Sequence, residues 1–245
     1  MEMKKDLIYE GKGKKIYSVQ GHPDQVILFF KDDLTAYQGR KQSSFPKKGE
    51  ICKTISSLIF QYLKQEGMPV HWIKDLSPLE SLCLKVDIFP LEVVIRNRLA
   101  GSTAQRLGLK EGQSILQAPL LEFYYKKDEL DDPFISEDQI IKLSLIKNVA
   151  FLEGIKKQAL KINEKLKFFF SEAGLELVDF KMEFGEAEDK IFLSDEISPD
   201  SCRLWDQKTE YRLDKDRFRR GWGGVEESYQ KIQDKLLKKW GESFD

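Results

Sequence analysis

The stretch LVDFKMEFG at 177–185 carries two acids and a base at every second position: Asp179, Lys181 and Glu183 alternate with Val178, Phe180, Met182 and Phe184. On an extended chain successive side chains point to opposite faces, so the charged groups share one face and the four apolar groups the other. A surface strand with a charge ladder would read the same way. The next extended run, IFLSDEIS at 191–198, follows through GEAEDK and sets Asp195 and Glu196 behind three apolar residues, so acids recur close to the first set. Carboxylates from two consecutive strands could hold Mg2+, which takes hard oxygen ligands, usually one or two protein carboxylates plus substrate phosphates. Which of Glu183, Asp195 and Glu196 face one another depends on hairpin register, which the sequence leaves open.

A second set of residues suits phosphate. YEGKGKKIY at 9–17 puts two glycines and three lysines between extended runs, so backbone amides could approach an anion while Lys12, Lys14 or Lys15 neutralises it. The segment lacks the GxxxxGK[ST] form and opens no helix, which excludes a P-loop. In VVIRNRLAGST at 93–103 an extended run delivers Arg96 and Arg98 to a small-residue turn containing Ser102, a setting for a guanidinium fork on phosphate or for a salt-bridged strand end. Further arginines lie beside acids in SPDSCRLWD and DKDRFRR, with Arg203 nearest the acid runs.

Composition narrows the chemistry further. Across 245 residues, 40 Lys plus Arg against 41 Asp plus Glu leave a net charge of −1, so bulk charge points to no nucleic-acid partner. The longest apolar stretches, such as Val26 to Phe30, fall far short of the roughly 20 residues a membrane helix needs. Charge interrupts the N-terminal MEMKKDLIYEGKGKK before a secretory core could form, so a cytoplasmic protein is expected. Cys52, Cys83 and Cys202 form no CxxC pair and are expected as reduced thiols. The two histidines, His22 and His71, stand alone and read as structural, which leaves carboxylates, lysines and arginines to carry any catalysis.

The elements that must position these groups follow from periodicity. Leu7–Tyr9, Lys15–Val19 and Gln25–Phe30 predict a small antiparallel sheet, with turns at GKGK and QGHPD. Ile51, Ile55, Leu58, Ile59, Tyr62 and Leu63 predict an amphipathic helix over 49–66 that packs on the sheet. Extended runs follow at Ser81–Val86 and Leu91–Asn97, with Pro90 expected at a strand start or edge. A short helix is expected at TAQRLG, the longest helix at 148–173 with Gly174 closing it, and a final helix from Val225 to Trp240 with Lys235, Lys238 and Lys239 on a solvated face. Strands first and helices later predict an α+β protein of two lobes with a cleft between them.

The peptides EGKGKKIY, PLEVVIRNRLAGS, QRLGLKEG, LVDFKMEFG, SDEISPDSCRLWD and DKDRFR occur in this order across nearly the whole chain. As a set they resemble the phosphoribosylaminoimidazole-succinocarboxamide synthase (SAICAR synthetase) family of purine biosynthesis. The resemblance implies a two-lobed SAICAR synthase fold related to ATP-grasp and protein-kinase-like nucleotide binders. An antiparallel N-terminal lobe over 1–88 would bind nucleotide, and a larger mixed α/β lobe over 89–245 would hold the magnesium and substrate sites. It implies an ATP-dependent ligase, often a homodimer, joining L-aspartate to 5-amino-1-(5-phosphoribosyl)imidazole-4-carboxylate (CAIR) through an acyl phosphate, with release of ADP and phosphate.

By the same resemblance, Glu183 and Asp195 are the magnesium ligands, and Lys12, Gly13, Lys14 and Lys126 contact the nucleotide phosphates. Leu84 to Val86 matches the hinge that meets adenine through its backbone. Arg96, Ser102 and Arg203 align with groups holding the phosphoribosyl phosphate. Asp179 and Lys181 align with those facing the imidazole amino group and carboxylate, which makes them the leading catalytic candidates.

The chain departs from the family pattern at TAYQG (35–39) and KKGEICKTIS (47–56), where Gln38, Cys52 and Lys53 replace familiar residues. Roles in the loop from Asp32 to Lys48, including those of Asp32 and Asp33, do not carry over. Two other readings fit parts of the pattern: a small-molecule kinase with a two-lobed nucleotide site, and a nucleotide-binding regulatory protein with degenerate catalysis. Aspartate dependence separates the kinase from the ligase, and competent residues at every proposed position weigh against degeneracy.

Overall fold

The β-favouring runs at the start of the chain form β1 (Lys4–Glu10), β2 (Lys14–Val19) and β3 (His22–Phe30). After a small hairpin of β4 (Asp33–Ala36) and β5 (Lys41–Ser44) come α1 (Lys48–Gln65), β6 (Trp72–Ser77) and β7 (Glu80–Leu84), completing an antiparallel sheet in the order β1-β2-β3-β7-β6. The structure is a computed structural model that describes residues 3–36, 39–115, 117 and 119–243. Gln38, one of the departures noted above, lies outside them.

The second sheet begins at β8 (Asp87–Arg96), which leads into α2 (Gly101–Leu107) and β9 (Leu120–Tyr125). It continues through β10 (Phe134–Ile135), α3 (Glu137–Lys142), α4 (Val149–Glu172), β11 (Leu175–Ala187), β12 (Lys190–Ser194) and β13 (Cys202–Asp206). The strand order is β10-β9-β8-β11-β12, with β13 also paired to β11. The chain ends in α5 (Asp216–Arg220) and α6 (Val225–Trp240). The chain passes from one sheet to the other at 85–86, so the division proposed at 88/89 falls just inside β8.

The helices form where periodicity predicts them. In α4, Leu152, Ile155, Ala159, Ile162, Leu166 and Phe169 are buried on one stripe, Asn148 caps the N-terminus by accepting from Phe151 N at 3.1 Å, and Gly174 at φ 70° stops the helix. In α1 the predicted stripe is buried against β3, and α6 returns to pack on α1. One continuous apolar core runs between the sheets and these helices, so truncating a buried Leu or Ile in it to Ala should cost about 2–5 kcal/mol.

Two expectations fail, both at irregularities in pairing. Pro90 is neither at a strand start nor on an edge: it lies inside β8, between β9 and β11. Between the pairs Glu183↔Glu92 and Gly185↔Ile88 a single residue of β11 faces three of β8, and this bulge accommodates the missing N–H of Pro90. Val178 does not join Phe180, Met182 and Phe184 in the main core but packs with Ala100 and Trp205. The cause is a register shift of β11 against β13 between Leu177 and Asp179, which inserts one residue and breaks the alternation there.

Candidate active site

Strand register decides what the charged face of β11 meets. Asp179 pairs with Arg96, Lys181 with Val94 and Glu183 with Glu92, so Glu92 and Arg96 of β8 present their side chains beside those of β11. Arg96 donates to Asp179 at 2.6 Å and to Glu122 of β9 at 2.7 Å, and Arg203 of β13 grips the other side of Asp179 at 2.8 and 3.0 Å. Arg203 also bonds Asp216 at 2.8 Å, and Asp216 holds Arg219 at 2.6 Å. This ladder is nearly dry: Arg96 and Asp179 are each 3% exposed. Buried charges persist only when paired, and here each carboxylate has at least one guanidinium. Ser102, at the start of α2, lies 3.3 Å from Arg96.

Lys181 donates to Glu92 at 2.6 Å and to Glu183 at 3.2 Å, and Lys126 reaches the other oxygen of Glu183. Burial alone would raise the Glu183 carboxyl, but Lys181 and Lys126 pull it down to about 2. Burial pushes Glu92 up despite its bond to Lys181.

The tip between β1 and β2 meets the end of β12. Lys14 forms ion pairs with Asp195 and, at 2.9 Å, with Glu196, which keep its ammonium charged against burial. Asp195 sits directly after β12 at φ 61°, a left-handed conformation uncommon for non-glycine residues that Asp takes more readily than most. Lys12 crosses to Asp128 at 2.7 Å, and Gly13 O accepts from Lys31 N at 2.8 Å. The passage at 85–86 adds apolar wall, with Leu84 and Val86 beside Ile16, Val26 and Leu28.

Apart from Glu122 and Lys31, these groups line one cavity of about 820 Å³. The residues that the resemblance assigns to nucleotide, metal and CAIR all open onto it, whereas Lys15 ion-pairs with Glu10, and Arg98 with Glu176 and Glu210, outside its lining. Of the departures, Lys53 ion-pairs with Asp75 and Cys52 is buried with its thiol pushed up by burial, so both are packed beneath the site rather than in it. Asp32 accepts from Gly49 N at 2.8 Å, whereas Asp33 lines the cavity.

Sequence reasoning missed Glu92, Glu122, Asp200, Lys215 and Asp216, and read His71 as structural; His71 lines the cavity. Glu92 shares the alternate-residue phase of Arg96, a signal that becomes useful only once β8 is paired with β11. No comparable signal marks His71 or Lys215.

Across residues 7–236 the chain matches the family model described as SAICAR synthetase. This chain belongs to the SAICAR synthetase family. A relative from Wolinella succinogenes named phosphoribosylaminoimidazole-succinocarboxamide synthase is 49% identical over 235 residues, covering 96% of this chain and 99% of its own length. The crystal structure of the synthase of that name from Ehrlichia chaffeensis is similar with a TM-score of 0.91 and 43% identity, over 94% of this chain and 98% of the other. A SAICAR synthetase solved in complex with ADP matches at a TM-score of 0.90 and 41% identity, over 95% and 98% of the two chains. The expected two-lobed α+β fold is thus the fold of the SAICAR synthetases. Among the described residues no helix is long and apolar enough to cross a membrane.

Proposed function

We propose that this cavity joins L-aspartate to CAIR with ATP, with the nucleotide, the metal and CAIR held by the residues named above. The activity is that of the family: an ATP-dependent ligase forming SAICAR. The assignment of residues rests chiefly on one observation, the ion pairs of Lys14 with Asp195 and Glu196, which draw the glycine-lysine tip of one sheet onto the acidic strand end of the other.

The charge pattern suits the substrates. Lys12, Lys14 and Lys126, with the backbone at Gly13, offer cations and an amide turn for a polyphosphate, while Leu84 and Val86 offer an apolar wall for adenine. Arg96, Ser102 and Arg203 surround a place for the phosphoribosyl phosphate. Asp179 and Lys181 then face the imidazole amino group and carboxylate. A carboxylate is a poor electrophile because its oxygen leaves badly. In this reading a CAIR carboxylate oxygen attacks the γ-phosphorus and the bond to ADP breaks. The aspartate amine next adds to the carbonyl carbon, losing a proton, and inorganic phosphate leaves with its bonding pair. Lys181 neutralises charge on the carboxyl, and Asp179 orients the amino group or accepts a proton.

Glu183 and Asp195 fit a magnesium ion. They are hard oxygen donors on adjoining strands, Glu183 inside β11 pairing with Ser194, the residue before Asp195; both are now neutralised by lysine ammonium groups, and among the described residues no cluster of three or more His, Cys, Asp or Glu residues forms a cage of its own. Bound there, Mg2+ would neutralise phosphate charge during transfer. We further place the protein in the cytoplasm as a homodimer, in keeping with a small-molecule ligase.

The deciding experiment measures ADP release by purified protein with ATP, Mg2+ and CAIR, with and without L-aspartate, alongside the product mass. Aspartate-dependent turnover with SAICAR as product supports the ligase. Aspartate-independent turnover to a stable phosphorylated product supports the kinase and overturns the assignment.

A further inference from the structure

The peptide unit between Ala100 and Gly101 is held at both ends. Its carbonyl oxygen accepts from Arg96 Nη1 at 3.3 Å, and its N–H donates to Oε1 of Glu111 at 3.1 Å. A peptide is planar, so bonds on its two sides fix how the plane is turned. Here they carry the backbone from an extended Ala100, at φ −156° and ψ 166°, into Gly101 at φ 59°. The bend brings Ser102 to the cavity wall and leaves the bare Cα of Gly101 for the Arg203 guanidinium to pack on.

Glu111 itself does not line the cavity. The chain after α2 brings it to the turn by doubling back beside Leu99, whose N–H donates to Gln113 O at 3.0 Å and whose carbonyl accepts from Gly112 N at 2.7 Å. The same carboxylate accepts from Arg220, at the end of α5, and from Arg212 at 3.0 Å. Against burial, the Gly101 amide and these two guanidinium groups hold the Glu111 carboxyl below its ordinary value, which keeps it a charged acceptor.

Resting on the reading that Arg96, Ser102 and Arg203 hold the phosphoribosyl phosphate, we propose that Glu111 is a positioning residue for that site. By fixing the Gly101 N–H it aims Ser102 and seats Arg203 without touching substrate. Its bonds to Arg212 and Arg220 anchor the carboxylate and are not what CAIR senses.

Two variants separate the amide bond from the charge. Glu111→Gln keeps an oxygen within reach of the Gly101 N–H but removes the charge. Glu111→Asp keeps the charge, which the long Arg212 and Arg220 side chains can follow, but draws the oxygen back from Gly101. Steady-state rates are measured for CAIR and for its nucleoside, which lacks the 5′-phosphate. In Glu111→Asp the CAIR KM should rise about tenfold, as for loss of one hydrogen bond to a charged acceptor, with the ATP KM within about threefold of wild type. The ratio of kcat/KM for CAIR to that for the nucleoside should fall by the same factor, a change that general loosening of the fold would not produce. Glu111→Gln should recover all but about threefold of both losses. A loss in Glu111→Gln as large as in Glu111→Asp, wild-type values in both, or equal losses for CAIR, nucleoside and ATP overturns the proposal. Should wild-type protein turn over the nucleoside as well as CAIR, the phosphate-site reading fails and Glu111 has no phosphate to position; should it release no ADP with CAIR and L-aspartate, the ligase reading fails first.

Discussion

The imidazole Nε2 of His71 lies 3.2 Å from the backbone carbonyl oxygen of Asp195. The same residue donates its backbone N–H to Leu193 of β12 at 2.9 Å and accepts from Leu84 of β7 at 2.7 Å, so it ties the acid-bearing strand to the first sheet. Burial pushes the ring down to about 4, which keeps it neutral and lets Nε2–H donate to the carbonyl.

His71→Leu should therefore release Asp195 from its left-handed conformation. We expect kcat to fall about tenfold or more and the Mg2+ requirement to rise, with the thermal midpoint lowered by loss of one buried hydrogen bond, about 1–3 kcal/mol. His71→Gln, which keeps an N–H donor, should recover part of the activity. Steady-state rates over a Mg2+ titration check this; equal rates for both variants and wild type would contradict it.

Glu183→Gln and Asp195→Asn keep shape but remove the proposed metal ligands. Each should lower turnover by at least about a thousandfold while circular dichroism stays native, because phosphoryl transfer relies on charge neutralisation. Wild-type turnover in a folded Asp195→Asn protein would remove Asp195 from the metal site.

Arg203 joins Asp179 to Asp216, and its guanidinium packs so closely on Gly101 that a Cβ there would lie 2.5 Å from Nη2. Arg203→Ala should raise the CAIR KM far more than the ATP KM, at a stability cost of about 3–5 kcal/mol from buried carboxylates losing a partner. Gly101→Ala tests the same site without touching a charge: it displaces the guanidinium and strains a backbone at φ 59°, so the CAIR KM should again rise selectively. Equal losses for CAIR and ATP in both variants would contradict the assignment.

Glu183 and Asp200 are both held below the ordinary carboxylate range by lysines that outweigh burial. A lowered folded pKa means the unfolded state binds more protons, so the stabilisation is complete above the unfolded value and is lost as pH falls through the folded one. For Glu183, 4.5 falling to about 2, this corresponds to on the order of 3 kcal/mol lost between about pH 5 and pH 2. Urea midpoints across that range should decline, and less steeply in Glu183→Gln. A flat profile would contradict the Lys126–Glu183–Lys181 arrangement.

Much of the molecule was legible in the chain itself. The stripes of α1, α4 and α6, the alternation from Asp179 to Glu183 and the ordered family peptides all follow from local periodicity or local identity, because a residue's place on a helix or strand face depends only on its near neighbours. Tertiary structure decided what those faces meet. Arg96 reaches Asp179 and Lys181 reaches Glu92 because of how β8 pairs with β11, and the bulges at Pro90 and Val178 reset phases that alternation alone misreads. Lys14 finds Asp195 and Glu196 only when two sheets distant in sequence close on one cavity. Register and long-range charge pairing depend on which surfaces are buried together, and no local window of sequence contains both sides of that contact.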